Sequence, residues 1–222
     1  MLQAIIFDMD GVIVDTEFLE YDLQAQFIES IKEHHRTLTS LESAEVVGKG
    51  LAEIPEIVKK LSGSSLPLEE IKQRYFEFFK QLFSTADYRS IFRADIVKII
   101  EFAKQNQIKL AVASSSHLEH IQNILTECGI IRDFDFIVSG EQFERSKPDP
   151  TIYRYTLEKL GVQAESAVAI EDSFFGIQAA QAANIPVIAY EEKRMHIDQS
   201  HAEHCGKNML EILAIIKQLH SH

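Results

Sequence analysis

Five short runs that are apolar at nearly every position recur along the chain: AIIF at 4–7, LAVA at 110–113, FDFIV at 134–138, AVAI at 167–170 and PVIA at 186–189. A strand with one wet face alternates apolar and polar residues. A run without alternation needs cover on both faces, as in a parallel sheet flanked by helices. Helical spacing follows the runs and predicts helices near 96–105, 118–128, 151–160, 176–183 and 209–219. Parallel neighbours require crossover connections of this kind. The expected fold is therefore α/β, a Rossmann-like parallel sheet of about five strands flanked by helices.

The rhythm fails in one place. Between residue 16 and about residue 88 no convincing strand occurs, and helical text follows helical text at 19–32, 51–61 and 68–83. This predicts an inserted all-helical domain, 16–88, in a core formed by 1–15 and 89–222. A length of 222 residues fits one core with a sizeable insertion better than two full domains. Tyr75, Phe76, Phe78 and Phe79 fall at helical spacing, which reads as packing rather than a ligand box. Ser62-Gly63-Ser64-Ser65 followed by Pro67 reads as a turn between helices.

Composition removes several classes. Hydrophobic residues at 45% and charged residues at 25% suit a globular chain. The apolar run at 4–7 meets Asp8 and Asp10 too soon for a signal peptide or a membrane span, so no membrane role and a cytoplasmic location are expected. A net charge of -12, with no Lys/Arg cluster, opposes nucleic-acid binding. Cys128 and Cys205 are too few for a disulfide framework and read as free thiols. His196, His201, His204 and Cys205 match no common tetrahedral zinc spacing. The oligomeric state is open, and a monomer is compatible with the pattern.

In an open parallel sheet, ligands bind beyond the carboxyl ends of the strands. There the sequence places Asp8 and Asp10 after the first run, Ser114, Ser115 and Ser116 after the second, Lys147 after the third, and Glu171 and Asp172 after the fourth. Any one of these has a plain explanation as a turn, a cap or a solvated loop charge. Together they put four carboxylates at one edge, and a hard divalent ion with oxygen ligands, Mg2+, is the economical way to neutralise them. Phosphoryl transfer needs cations against spreading charge, donors for the equatorial oxygens and an in-line nucleophile. This edge offers all three: a carboxylate able to form an aspartyl phosphate, Lys147 against negative charge, and Ser114 as a donor.

FDMDGVIVDTE at 7–17, VASSS at 112–116, SKPDP at 146–150 and IEDSFFGI at 170–177 resemble, in order, the four motifs of the haloacid dehalogenase superfamily, in its beta-phosphoglucomutase-like branch. The resemblance implies Asp8 as nucleophile and metal ligand, and Asp10 as general acid/base whose backbone carbonyl also meets Mg2+. It implies that Ser114 and Lys147, with Ser115 beside them, hold the phosphate, that Asp172 ligates the metal, and that Glu171 either ligates it or orients a bound water. Gly11 would allow a tight turn beside the nucleophile. Asp15 and Thr16 would mark a hinge into a helical cap, which the 16–88 insertion matches.

An acidic residue two positions after the nucleophile favours phosphate monoester chemistry over dehalogenation. The rival is a sugar-phosphate mutase. Similar mutases carry a His after the hinge and an Arg in the cap, where this chain has Glu20 and, within VGKGLAEI at 47–54, Lys49. A bidentate phosphate clamp is not evident, so hydrolysis of a small phosphorylated metabolite is the expected reaction. A non-catalytic phosphometabolite sensor would be expected to have lost Asp8 or Asp10, and both stand. Glu20, Lys49 and Lys80 are candidates for substrate selection, while His117 and His120 read as exposed helix residues outside the site.

Overall fold

The computed structural model describes residues 1–33, 38–39, 42, 54–85, 87–195 and 197–221. Lys49 and His196 lie outside them, as do the side chains of Glu20, Phe79 and Lys80. The chain divides into two compact units, Met1–Asp15 with Tyr88–Lys193 and Ile197–His222, and Thr16–Asp87 with Arg194–His196.

The first unit is built on a parallel sheet of six strands: β1 (Ala4–Phe7), β2 (Lys109–Ser114), β3 (Phe136–Ser139), β4 (Ala167–Glu171), β5 (Val187–Tyr190) and β6 (His204–Gly206). Their order is β3-β2-β1-β4-β5-β6. The central strand β1 pairs with β2 on one side, Phe7 opposite Val112, and with β4 on the other, Phe7 opposite Ile170. The chain thus winds away from β1 in both directions and leaves a crevice at its carboxyl end. Strands β1, β4 and β5 are buried at every position, as their apolar runs require, and β4 carries the burial on to Glu171 at its end. One sheet face is lined by small residues, Ala4, Ala111, Ala113, Ala167, Ala169 and Ala189, in one cluster with Ile152, Tyr153 and Leu157. Small side chains let the covering helices approach closely.

The sheet has one strand beyond the about five expected. His204–Gly206 has an exposed, polar start and no apolar run, and is strand because Ile188 to Tyr190 of β5 offer it a free edge to pair with. The third strand also starts later than its apolar run, since Ile131–Asp133 form a 3-10 turn and Asp135 is taken up by Leu110, whose N–H donates to its carboxylate at 2.8 Å.

In chain order the described α-helices are α1 (Thr16–Ile31), α2 (Ile54–Ser62), α3 (Leu68–Thr85), α4 (Ile96–Gln105), α5 (Leu118–Glu127), α6 (Thr151–Leu160), α7 (Phe174–Ala182) and α8 (Met209–Ser221). Helix α7 begins two residues before its expected start because Ser173 caps it, its Oγ accepting from the N–H of Gly176 at 3.0 Å.

Helices α1, α2 and α3 form the second unit around Leu23, Phe27, Ile28, Ile54, Val58, Leu61, Ile71 and Tyr75. Phe27 meets the rings of Tyr75 and Phe78, each at 5.3 Å between centroids. The aromatic cluster expected as packing is thus core at Tyr75 and half-buried at Phe78, but Phe76 is 64% exposed. Between α2 and α3 the chain turns at Gly63 (φ +62°), and the Glu33 carboxylate accepts from the N–H and hydroxyl of Ser65, both at 2.8 Å. Among the described residues, no helix is long and apolar enough to cross a membrane.

Candidate active site

At the end of β1 the backbone is locked before it turns: the Asp8 N–H donates to the carbonyl of Ile170 on β4 at 2.9 Å. The Met9 carbonyl then accepts from the N–H groups of Ile13 at 2.8 Å and Val14 at 3.2 Å, winding 9–14 into a tight loop. Gly11 sits in that loop at φ +74°, where a Cβ would lie 1.8 Å from Oδ2 of Asp172. Both the left-handed backbone and the approach of Asp172 demand glycine here.

Lys147, from the loop beyond β3, ties three strand ends together. Its ammonium donates to Oδ1 of Asp8 at 2.6 Å, to Oε1 of Glu171 at 2.6 Å and to the carbonyl of Ala113 on β2 at 2.9 Å. Three donors are all that an ammonium has, so its position is fully specified. The partners are dry: Asp8 is 7% exposed, Glu171 0% and Asp172 2%.

Burial pushes the Asp8 carboxyl well above the usual carboxylate range; Lys147 pulls it back, and the Glu171 and Asp10 charges push it up again. For Lys147, burial works against the charged form, but the Asp8 and Glu171 carboxylates outweigh it and hold the ammonium well above its ordinary value. The site therefore sets one firmly protonated lysine among a cluster of carboxyl groups. Oxygens of Asp8, Glu171 and Asp172 lie within 4.8 Å of one another, and these residues are the one such group among the described residues able to hold a metal ion. An all-oxygen, carboxylate-rich donor set suits a hard divalent cation.

Asp10 stands at the rim, partly exposed. Its Oδ2 accepts from the hydroxyl of Ser116 at 2.7 Å and from that of Ser114 at 3.3 Å. Ser114 is fully buried and also accepts from the N–H of Ser116 at 3.0 Å. Ser115, the other serine expected at the site, is exposed, and the second hydroxyl on Asp10 is that of Ser116. The structure thus brings Asp8, Asp10, Ser114, Lys147, Glu171 and Asp172 to one edge and turns Ser115 outward.

Sequence reasoning missed three contributors. Tyr153 donates its hydroxyl to Oε1 of Glu171 at 2.6 Å. Arg93 donates to the Gly11 carbonyl at 3.2 Å and to Asp15 Oδ1 at 3.1 Å, with its guanidinium 3.9 Å from the Tyr190 ring centroid. Gln199 donates its side-chain amide to the carbonyl of Asp172 at 2.6 Å. All three arise from packing between distant segments and leave no local mark in the text. His117 bonds Glu141 at 2.5 Å, and the His120 ring meets that of Tyr88 at 5.6 Å. Both cysteines are free, and burial pushes the Cys128 thiol up to about 11.

The sequence profile of the haloacid dehalogenase-like hydrolases matches residues 5–190. A phosphorylated carbohydrates phosphatase of Thermotoga maritima is 33% identical over 189 residues, covering 83% of this chain and 82% of that protein. The crystal structure of a CbbY mutant from Rhodobacter sphaeroides in complex with xylulose-(1,5)bisphosphate superposes with a TM-score of 0.69 at 26% identity, covering 95% of this chain and 96% of that one. A beta-phosphoglucomutase of Clostridium difficile, at 21% identity and a TM-score of 0.74 over 100% of this chain and 98% of its own, shares the fold. The chain belongs to the haloacid dehalogenase-like hydrolase family. Within it, the chain falls in the phosphatase branch, among the phosphoric monoester hydrolases.

Proposed function

We propose that this protein is a cytosolic, magnesium-dependent phosphatase that hydrolyses a small phosphate monoester, a sugar phosphate or similar metabolite, through an aspartyl phosphate on Asp8, with Asp10 as general acid and base. The observation that carries the reading is the Lys147 ammonium at 2.6 Å from both Asp8 and Glu171, beside Asp172. A buried carboxylate held by one cation at the end of the central strand is an oriented nucleophile that has been stripped of water.

Asp8, Asp172 and the Asp10 carbonyl would hold Mg2+, with Glu171 ligating it or orienting a bound water. The ion would supply positive charge against the carboxylates and the transferring phosphoryl group. In the first step an Asp8 oxygen attacks phosphorus, the ester P–O bond breaks, and Asp10 gives its proton to the leaving oxygen. In the second, Asp10 takes a proton from water, the water oxygen attacks phosphorus, and the bond to Asp8 breaks to release phosphate. Ser114 donates to a phosphate oxygen through both steps, and Lys147 does so by exchanging one of its three protein acceptors for the phosphate, with Ser115 at the margin. For Asp10 to act, its carboxylate must exchange the hydroxyls of Ser114 and Ser116 for the substrate. The helical unit, 16–88, is read as the cap that selects substrate, with Glu20, Lys49 and Lys80 as candidate contacts.

A screen of phosphorylated sugars and nucleotides with Mg2+ tests the reading, the product being free phosphate. Isomerised sugar phosphate with little free phosphate would instead identify a mutase. Metabolite binding with no turnover of p-nitrophenyl phosphate, with or without Mg2+, would identify a sensor.

A further inference from the structure

Glu171 is fully buried and both of its carboxylate oxygens accept hydrogen bonds. Oε1 accepts from Lys147 at 2.6 Å and from the Tyr153 hydroxyl at 2.6 Å; Oε2 accepts from the Ser173 hydroxyl at 3.2 Å. One flank lies against the first turn of α7, where a Cβ on Gly176 would come within 2.0 Å of Oε2. Tyr153 is itself fully buried, in the first turn of α6. Its ring also covers the ammonium that Glu171 shares with Asp8, with Nζ of Lys147 5.1 Å from the ring centroid. One side chain thus touches both members of the Lys147–Glu171 pair, by hydroxyl and by ring face.

We propose that Tyr153 is a positioning residue of the metal and phosphate site: its hydroxyl fixes Glu171, and its ring fixes Lys147 against Asp8. A carboxylate without water must take its donors from protein, and one that loses a donor draws harder on those that remain. Without the hydroxyl, Glu171 competes with Asp8 for Lys147 and loses the orientation it presents to a cation or its bound water. Groups that orient metal ligands in this way typically contribute about 10- to 100-fold to metal affinity or activity. The role rests on the Mg2+ site proposed above.

The hydroxyl and the ring separate in two variants. Tyr153→Phe keeps the ring and removes only the donor; Tyr153→Leu removes both. Titrating Mg2+ against thermal unfolding, without substrate, should show the half-saturating Mg2+ concentration raised about 10-fold in Tyr153→Phe, with the EDTA melting curve still cooperative. With p-nitrophenyl phosphate at saturating Mg2+, KM should rise several-fold more in Tyr153→Leu than in Tyr153→Phe. If the hydroxyl acts through Glu171, Tyr153→Phe should add nothing to the Mg2+ half-point of Glu171→Gln. A half-point in Tyr153→Phe equal to wild type, or full additivity with Glu171→Gln, overturns the role and leaves Tyr153 a core residue. A wild-type protein whose melting ignores Mg2+ removes the metal site itself, and the Tyr153 role falls with it.

Discussion

In the helical unit the described ion pairs are local, and each keeps at least one partner well exposed. Lys32 meets Glu29 at 2.6 Å, Lys72 meets Glu69 at 2.7 Å and Arg74 meets Glu70 at 2.5 Å, each three or four residues apart on the sequence. At the carboxyl edge of the sheet the pairs Lys147–Asp8 and Lys147–Glu171 have the same 2.6 Å length, but they join residues 139 and 24 apart, with little or no exposure. Equal lengths conceal unequal consequences. Exposed pairs contribute roughly 0–1 kcal/mol each and say little about function. Buried pairs carry a desolvation cost that only a fixed geometry offsets, so the fold has to hold them in place. The sheet can do so because strand register sets Asp8, Ala113 and Glu171 before any side chain is placed; the helical unit devotes its fixed geometry to an apolar interior.

The sharpest way to break this contrast is at Asp8. Asp8→Asn is nearly isosteric and should lower hydrolysis on the order of 10^3-fold or more, read as phosphate release, since an amide cannot form the acyl phosphate. Next in size, Gly11→Ala sets a methyl where Asp172 stands and forces φ +74° on a residue that resists it. It should cost about 1–2 kcal/mol in backbone strain, and the displaced site should lose on the order of 10^2-fold in kcat/KM. Retained Mg2+-dependent activity in that variant would show the loop to be looser than described.

A change in pH sharpens the same point. Burial raises the Asp8 carboxyl in the folded, ion-free protein, so the folded state holds that proton more tightly than the unfolded chain, whose carboxyl titrates near ~3.9. The contribution of this group to stability is present at low pH and is lost as pH rises through the raised folded value. Melting in EDTA should therefore show Asp8 subtracting stability as pH rises from that unfolded value, a contribution missing from Asp8→Asn. Mg2+ should reverse the loss, with a larger stabilisation at pH 7 than at pH 5. The smallest effect belongs to the helical interior: Phe27→Leu should cost about 1 kcal/mol in chemical denaturation and leave the Mg2+ half-point unmoved.

Legibility in the sequence follows the same division. Strand β1 and helices α4 and α6 fall at their expected limits because apolar runs and helical spacing are local signals. Asp8, Glu171 and Asp172 are legible because they leave strand ends directly. Strand β6 is not, since His204 and Cys205 are exposed and become strand only by pairing with β5. The Ser116 contact is not legible either, because a run of three serines does not say which hydroxyl turns toward Asp10. Tyr153 and Arg93 read as ordinary residues until helix α6 and the return to the core bring them against Glu171 and Gly11.

The most direct test of the central claim is to catch phosphorus on the chain. The enzyme would be quenched in acid during turnover of a phosphate ester, the acyl phosphate reduced with borohydride, and the peptides mapped by mass spectrometry. A nucleophilic Asp8 predicts its conversion to homoserine in the peptide spanning the first strand, dependent on Mg2+ and absent from Asp8→Asn. Modification at a different residue, or undiminished turnover by Asp8→Asn, would contradict it.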